Sequence, residues 1–295
     1  MSELITTQER NDTVGRGDSA RYLADLYAGL GSQKNDFRNY NLNRLVASLV
    51  EGDRVLDIGC GSGALITVLR RMGMDAWGLE PNQELAEAAA AREPALHLHH
   101  GTGELVDQLG CTFDTITIID VLEHIEDDGA QVERIRRALK PGGRLVVLVP
   151  AFQLLFGKRD VVAGHYRRYS KTRLVGLLRE HGFEIERVRY WNAIGFLPYL
   201  VAERVFRREL RGDIRTERAK SIWQRALIRG LHTWYRKIEN NASFGFGLSL
   251  IVTAKKASAD PADPHDPHDP PGPPESPEVR VAARRPGVRT EPLRT

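Results

Sequence analysis

The sequence predicts an α/β protein built on a mainly parallel sheet with helices on both faces. Three observations predict it. From Arg54 onward, short apolar runs alternate with stretches of helical periodicity, at the spacing of repeated strand–helix units. The first apolar run passes directly into the alternate glycines Gly59, Gly61 and Gly63, a turn by which a buried strand enters a helix. A helical stretch from Glu126 stops at Leu139-Lys140-Pro141-Gly142-Gly143, where proline and glycine end it before the next run. The 295 residues suffice for one large domain with additions, or for two small ones.

Residues 1–16 are polar and are expected to fray. Tyr22, Leu23, Leu26 and Tyr27 recur at helical spacing, as do Leu42, Leu45, Val46, Leu49 and Val50. Strands are expected at 54–58, 76–79, 96–99, 115–119 and 144–149. The helices between them start near Gly63, Asn82, Gly103 and Glu126. A further helix runs from Lys171 with Leu174, Leu177 and Leu178 on one face, Ser170 as its N-cap and Gly182 as its stop. A strand at 183–190 follows, and 247–254 reads as the last one. Between these two, residues 191–240 break the rhythm, with three of the four tryptophans and 11 Lys/Arg against 5 Asp/Glu. Ten of the fifteen prolines lie beyond Lys256, so 257–295 cannot build a core and is expected to be disordered. The division is therefore 1–16, a domain over 17–256, and the tail 257–295. His265 and His268 in the tail belong to a solvated linker.

Composition excludes several classes. With 41% hydrophobic and 27% charged residues, the chain has the make-up of a globular protein. A net charge of +3 does not mark a nucleic-acid binder. Cys60 and Cys111 form no CxxC, so neither a disulfide framework nor a zinc site is expected, and a reducing compartment fits. The first twenty residues lack the apolar core of a signal peptide, and no window has 18 uninterrupted apolar residues. A cytoplasmic protein without a transmembrane segment is expected.

The strongest motif is Val55-Leu-Asp-Ile-Gly-Cys-Gly-Ser-Gly63. Glycines there let a ligand approach the backbone beside the amide donors of a helix N-terminus. One strand–helix unit later stands Glu80, at the position whose carboxylate suits two ribose hydroxyls. A dinucleotide requires G-x-G-x-x-G around its pyrophosphate, and this loop is G-x-G-x-G. Asp57, within the strand, would repel a pyrophosphate but attract an ammonium group. S-adenosylmethionine carries an amino acid end and no phosphate, so it fits better than NAD.

These residues, with Glu80-Pro-Asn82, Phe113-Asp-Thr-Ile-Thr-Ile-Ile-Asp-Val-Leu-Glu-His-Ile125 and Leu139-Lys-Pro-Gly-Gly-Arg-Leu145, resemble the successive motifs of class I S-adenosylmethionine-dependent methyltransferases. The likeness extends from about Tyr40 to Lys255. It implies a doubly wound seven-stranded sheet of order 3-2-1-4-5-7-6 with the seventh strand antiparallel, and helical lid insertions. It further implies that Asp57, Gly59 and Gly61 line the methionine end and that Glu80 binds the ribose. Asp120, Val121 and Leu122 would flank the methyl group. Gly101-Thr102-Gly103-Glu104 stands where the family often has G-D-A-E, around the adenine. Thr102 replaces the acid there, and its hydroxyl can still accept the adenine amino group's hydrogen bond. Cys60 is read as a small buried residue.

Methyl transfer needs a desolvated cleft with the acceptor aligned behind the methyl group. Insertions after strands five and six, 150–170 and 191–245, stand where doubly wound folds place ligands. The first ends in Gly164-His-Tyr-Arg-Arg-Tyr-Ser170. Two mechanisms follow. In one, His165 or His124 acts as general base, Glu123 stands beside them, and Arg167 or Arg168 pairs with an anionic acceptor group or anchors the loop. In the other, Asp120, Glu123, His124 and His165 hold a divalent metal, the first three within one helical turn. That set resembles the metal-dependent quinone O-methyltransferases and small-RNA 3′-end methyltransferases. A third possibility is structural, since Asp-Val-Leu-Glu-His also occurs in the superfamily without metal.

Phe37-Arg-Asn-Tyr-Asn41, Pro150-Ala-Phe152, Gly164–Ser170, Tyr190-Trp-Asn192 and Phe246-Gly-Leu-Ser-Leu250 resemble a bacterial subgroup found near cell-envelope glycosyltransferases. The acceptor implied is a small molecule, a glycan or a lipid-linked compound, methylated at O or N. The apolar run from Trp191 to Phe206, leading into Arg204, Arg207, Arg208 and Arg211, is read as a lid over the acceptor pocket, with peripheral membrane contact as its alternative. Rival functions are a non-catalytic S-adenosylmethionine-binding protein and an NAD-dependent oxidoreductase.

Overall fold

The computed structural model describes residues 37–92, 97–201 and 222–257. The expected segment 1–16, the helix around residues 22–27, residue 96, Arg204 to Arg211 and nearly all of 257–295 lie outside these.

α1 (Phe37–Ala47) buries Leu42, Leu45 and Val46, the spacing that predicted it. β1 (Arg54–Ile58) is buried at every residue but its first, because parallel neighbours flank it and helices cover both faces. α2 (Ala64–Arg71), β2 (Asp75–Glu80), α3 (Gln83–Arg92) and β3 (His97–His100) follow at the expected spacing. The helix expected near Gly103 is a six-residue 3-10 segment, Gly103–Gln108. β4 (Phe113–Ile119) leads through a 3-10 turn, Leu122–His124, into α4 (Asp128–Ala138). β5 (Leu139–Pro150) starts five residues earlier than expected. Leu139 already pairs with Phe113, the chain bulges through residues 140–143, and pairing resumes at Arg144 and Thr115.

Beyond β5 come α5 (Lys158–Val162), α6 (Lys171–Glu180) and β6 (Phe183–Trp191). The Ser170 side chain caps α6, accepting from the Arg173 amide, and Gly182 at φ 74° lets the chain leave the helix. α7 (Ala193–Val201) and α8 (Ile222–Trp234) occupy the second insertion, and β7 (Ser249–Lys256) closes the sheet. The order is β3-β2-β1-β4-β5-β7-β6. β7 runs antiparallel to both its neighbours, and the other pairs are parallel. The sequence-based topology is met in full.

Alternation along the strands divides the core in two. Leu145 and Val147 of β5 pack with Val132 and Ile135 of α4 and with Leu174 and Leu178 of α6. Val146 and Leu148 face the other way, against Leu45 of α1 and Ile66 and Leu69 of α2. Both faces are therefore dry, and ligands are left the C-terminal edge of the parallel strands.

α8 passes into a π-helical turn, Tyr235–Glu239, that anchors the second insertion. Buried Glu239 accepts from the Ala193 amide and the Trp234 indole, each at 2.9 Å. The Tyr235 hydroxyl donates to Asn192 Oδ1 at 2.6 Å.

Candidate active site

The loop after β1 is shaped by its glycines. A Cβ on Gly59 (φ 71°) would stand 2.3 Å from Val121 Cγ2, so only glycine lets β1 and β4 end this close together. A Cβ on Gly61 (φ 54°) would meet nothing within 4 Å, so the loop faces open space there. Glu80 ends β2 and braces this loop. Its Oε2 accepts from the Gly61 amide at 2.7 Å and its Oε1 from the Asn82 amide at 2.9 Å. Each oxygen keeps a second lone pair for a ligand hydroxyl. The Gly101 amide bonds the Glu80 carbonyl at 2.9 Å, which brings Thr102 and Gly103 to the same edge. Asp57 is buried, with Oδ1 accepting from the Thr117 hydroxyl at 2.6 Å. Burial pushes its pKa up to about 7, against the hydrogen bond from Thr117 and with help from the Glu80 charge. Cys60 is buried, and burial pushes its thiol up. It packs under the loop, against Gly78.

Among the described residues, three non-glycine residues adopt the left-handed conformation, and each follows the C-terminal end of a strand. Asp120 (φ 53°) follows β4, Phe152 (φ 61°) follows β5 and Asn192 (φ 64°) follows β6. Such residues cost about 1–3 kcal/mol each and concentrate at ligand sites. Here each is held by its surroundings. Arg38 of α1 pairs with the Asp120 carboxylate at 3.1 Å, Phe152 stacks on Tyr190 with centroids 5.0 Å apart, and Asn192 takes the Tyr235 hydrogen bond.

The first insertion is organised by a residue that sequence reasoning passed over, Asp160. It is 1% exposed and makes three bonds. Its Oδ1 accepts from His165 Nδ1 at 2.9 Å and from Arg168 Nε at 2.8 Å, and its Oδ2 accepts from the Gly157 amide at 2.9 Å. Burial opposes its charge, but the His165 and Arg168 contacts outweigh that and hold its pKa below the usual carboxylate range. An ionised Asp160 places a proton on His165 Nδ1. His165 Nε2 is then the nitrogen left for chemistry. It lies 4.0 Å from Glu123 Oε1.

Glu123 is 1% exposed, and neither carboxylate oxygen has a hydrogen-bond partner among the described residues. Burial, then repulsion from Asp120, pushes its pKa well above the ordinary value. The His124 ring stands edge-on to that of His165, with centroids 4.6 Å apart. Burial and the neighbouring His165 lower the His124 pKa to about 4, so it is neutral near pH 7.

The structure thus brings Glu123, His124 and His165 together, with one ligand atom of each within 4.8 Å of the others. Asp120 does not join them. It precedes the 3-10 turn instead of lying in it, because its left-handed backbone turns the chain, and its carboxylate goes to Arg38. The expected single helical turn carrying all three residues is therefore corrected. The arginines of the motif are anchors. Arg168 donates to Asp160 and, at 2.5 Å, to the Tyr199 hydroxyl, and Arg167 pairs with Asp128 at 2.8 Å and donates to the Glu126 carbonyl at 2.6 Å. Tyr169 is buried and donates to Asp128 at 2.8 Å. A signal for Asp160 existed, since it is the only acid in 150–170 and stands five residues before His165.

This sheet order, glycine loop and strand-end acid define the Rossmann-like fold of S-adenosylmethionine-dependent methyltransferases. Residues 33–188 match the family model of the methyltransferase domain, just over half of the chain, and the chain belongs to that family. A ubiquinone biosynthesis O-methyltransferase of Bradyrhizobium sp. is 32% identical over 120 residues, covering 37% of this chain and 45% of that protein. One from Xanthomonas euvesicatoria is 29% identical over 155 residues, 46% of this chain and 65% of that protein. The chain thus spans about half to two thirds of the length of these relatives. An S-adenosylmethionine-dependent methyltransferase of Thermotoga maritima superposes with a TM-score of 0.52 at 17% identity, covering 80% of this chain and 97% of that one. A Haloferax volcanii methyltransferase crystallised with its activator gives 0.53 at 18% identity, covering 81% and 98%. These two likenesses concern the fold. Membership of the family implies S-adenosylmethionine as cofactor, and the open face at Gly61 beside Glu80 fits it. No helix among the described residues is long and apolar enough to cross a membrane.

Proposed function

We propose that the chain transfers a methyl group from S-adenosylmethionine to a hydroxyl of a small-molecule acceptor, with His165 as general base. The observation that carries this is the Asp160–His165 pair beside the C-terminal ends of β4 and β5, where buried Asp160 holds the ring through Nδ1 and leaves Nε2 as the nitrogen for proton transfer. Asp57, Gly59, Gly61, Glu80, Thr102, Gly103, Asp120 and Val121 would hold the cofactor. When bound, S-adenosylmethionine supplies an electrophilic methyl group on a sulfonium. His165 Nε2 takes the acceptor's proton as the oxygen attacks, and Asp160 stabilises the resulting imidazolium. Glu123, whose pKa burial raises well above the ordinary carboxylate value, stands beside His165 Nε2. Arg38 holds Asp120 at the methyl end.

Oxygen is preferred because the curated relatives are named O-methyltransferases. A glycan or lipid-linked acceptor accords with the subgroup resemblance and with exposed Leu197 and Val201 on α7, where peripheral membrane contact would also fall. The domain is taken as 17–256, with 150–170 and 191–245 as its acceptor-side insertions.

A second reading rests on Glu123, whose two bare oxygens face His124 and His165. With His165 Nδ1 bonded to Asp160, the pattern is that of a ligand imidazole oriented by a carboxylate, and a divalent cation could be held by these three groups. The test for both readings is turnover on phenol, catechol and polyprenyl-phosphate panels, followed by mass spectrometry for a gained methyl group. Product formed in the presence of a chelator selects the base mechanism, and loss restored by metal selects the second. Cofactor binding without product on any acceptor favours a non-catalytic binding protein.

Asp57 gives cofactor binding a pH dependence. Its carboxylate attracts the ligand ammonium and its protonated form does not, so affinity is full above pH 7 and falls as pH drops through about 7. Calorimetry with S-adenosylhomocysteine from pH 8 to 5.5 should show a loss of up to about tenfold per pH unit below that point. Asp57→Asn should flatten the profile.

A further inference from the structure

We infer that a pocket between α1 and α8 is a binding site for a phosphate-bearing ligand, separate from the methyl-transfer centre. The cavity measures about 410 Å³ and is lined by Tyr40, Asn41, Arg44, His232 and Arg236. No carboxylate is among its lining residues. Its walls are held in place independently of any ligand. Asn41, buried on α1, donates to the Phe37 carbonyl at 2.6 Å and contacts His232 Nδ1 at 3.0 Å, while its own carbonyl accepts from Asn240 at 3.1 Å. The His232 ring meets Tyr40 edge-on at 5.7 Å and Phe37 at 6.1 Å. Arg44 lies over the Tyr40 ring at 5.9 Å, an arrangement that keeps its guanidinium edge available to an acceptor oxygen.

The charged residues lining the pocket, Arg44 and Arg236, are both basic. α1 and α8 add Arg38, Arg225 and Arg229 and carry no acid. In a chain whose net charge is only +3, this is a local concentration. Two guanidiniums, those of Arg44 and Arg236, offer forked donors to a tetrahedral, multiply charged oxyanion. Arg38, six residues before Arg44 on the same helix, pairs with Asp120. Six residues of helix rise about 9 Å, so a phosphate here would stand roughly one helix diameter from the methyl end. Two sources present this chemistry: a soluble phosphate ester, or a lipid headgroup reached by the exposed Ile222 and Trp223 of α8, 81% and 84% accessible.

Binding by the full chain tests the site without reference to catalysis. Inorganic pyrophosphate, measured by calorimetry, should bind. Cosedimentation with phosphatidylglycerol–phosphatidylcholine vesicles, against pure phosphatidylcholine, identifies the source. Binding to anionic vesicles competed by pyrophosphate assigns a lipid headgroup, and pyrophosphate binding alone assigns a soluble ester. Arg44→Glu with Arg236→Glu should weaken binding at least about tenfold, with S-adenosylhomocysteine affinity unchanged as the check on folding. Arg44→Gln with Arg236→Gln repeats the test without charge reversal. The inference is overturned if neither probe binds, or if variants that retain S-adenosylhomocysteine binding hold the probes as tightly as the parent chain.

Discussion

His165→Ala should leave S-adenosylhomocysteine affinity within about twofold and cut turnover at least about a hundredfold, the lower range for a lost general base. The geometry gives the reason for both halves. His165 lies in the first insertion, across the strand ends from the Gly59–Gly61 loop and Glu80, and bonds none of the residues that brace that loop. Its Nε2 is the nitrogen that Asp160 leaves unprotonated, so its removal takes away an acceptor for the substrate proton. His124 cannot substitute, because it makes no bond to Asp160 and its pKa lies near 4. Single-turnover measurements with saturating cofactor would separate the chemical step from binding. Undiminished turnover in that experiment removes His165 from the mechanism.

Asp160→Ala should be the most damaging single change outside the core. It strands the buried Arg168 guanidinium, whose side chain is 7% exposed, and removes the acceptor for the Gly157 amide. Breaking one partner out of a buried ion pair costs about 3–5 kcal/mol. Urea denaturation of the variant should report a loss of that size. The same bond gives a pH signature. Because Asp160 titrates below its unfolded value, its contribution is present above about pH 4 and is lost as pH falls further, through the folded pKa. Asp160→Ala with Arg168→Met removes both charges together and should recover much of the stability. It should not recover turnover, since the His165 ring would still lack its partner. Recovery of turnover in the double variant would show that Asp160 acts on the fold alone.

The sheet could be read from the residues because buried parallel strands leave a one-dimensional trace: apolar runs, glycine exits, helical spacing between. β1 was placed to the residue for that reason. The strand order required the family resemblance, since periodicity says nothing about which strand lies beside which. β5 was placed late because its first pairing, at Leu139, precedes a bulge that looks like a plain turn in sequence. The glycine loop and its brace were legible because Gly59 and Gly61 act through the backbone and the Glu80 carboxylate meets that backbone at a fixed offset. The acceptor side was less so. Arg167 and Arg168 stood open between substrate cations and loop anchors, and only the fold brings Asp128 and Asp160 against them. Asp120 was grouped with Glu123 and His124 by spacing, and a single left-handed residue undid that grouping.

Asp120, Phe152 and Asn192 have a wider consequence. They bend the main chain at the exits of three strands, so in the proposed site the surface beneath the acceptor would be drawn by backbone and not by side-chain bulk. A surface of that kind persists when the side chains above it are exchanged. A lineage built on this chain could change what it methylates by replacing residues in the two insertions, with the strand exits left as they are. Divergence of acceptor would then require no redrawing of the fold.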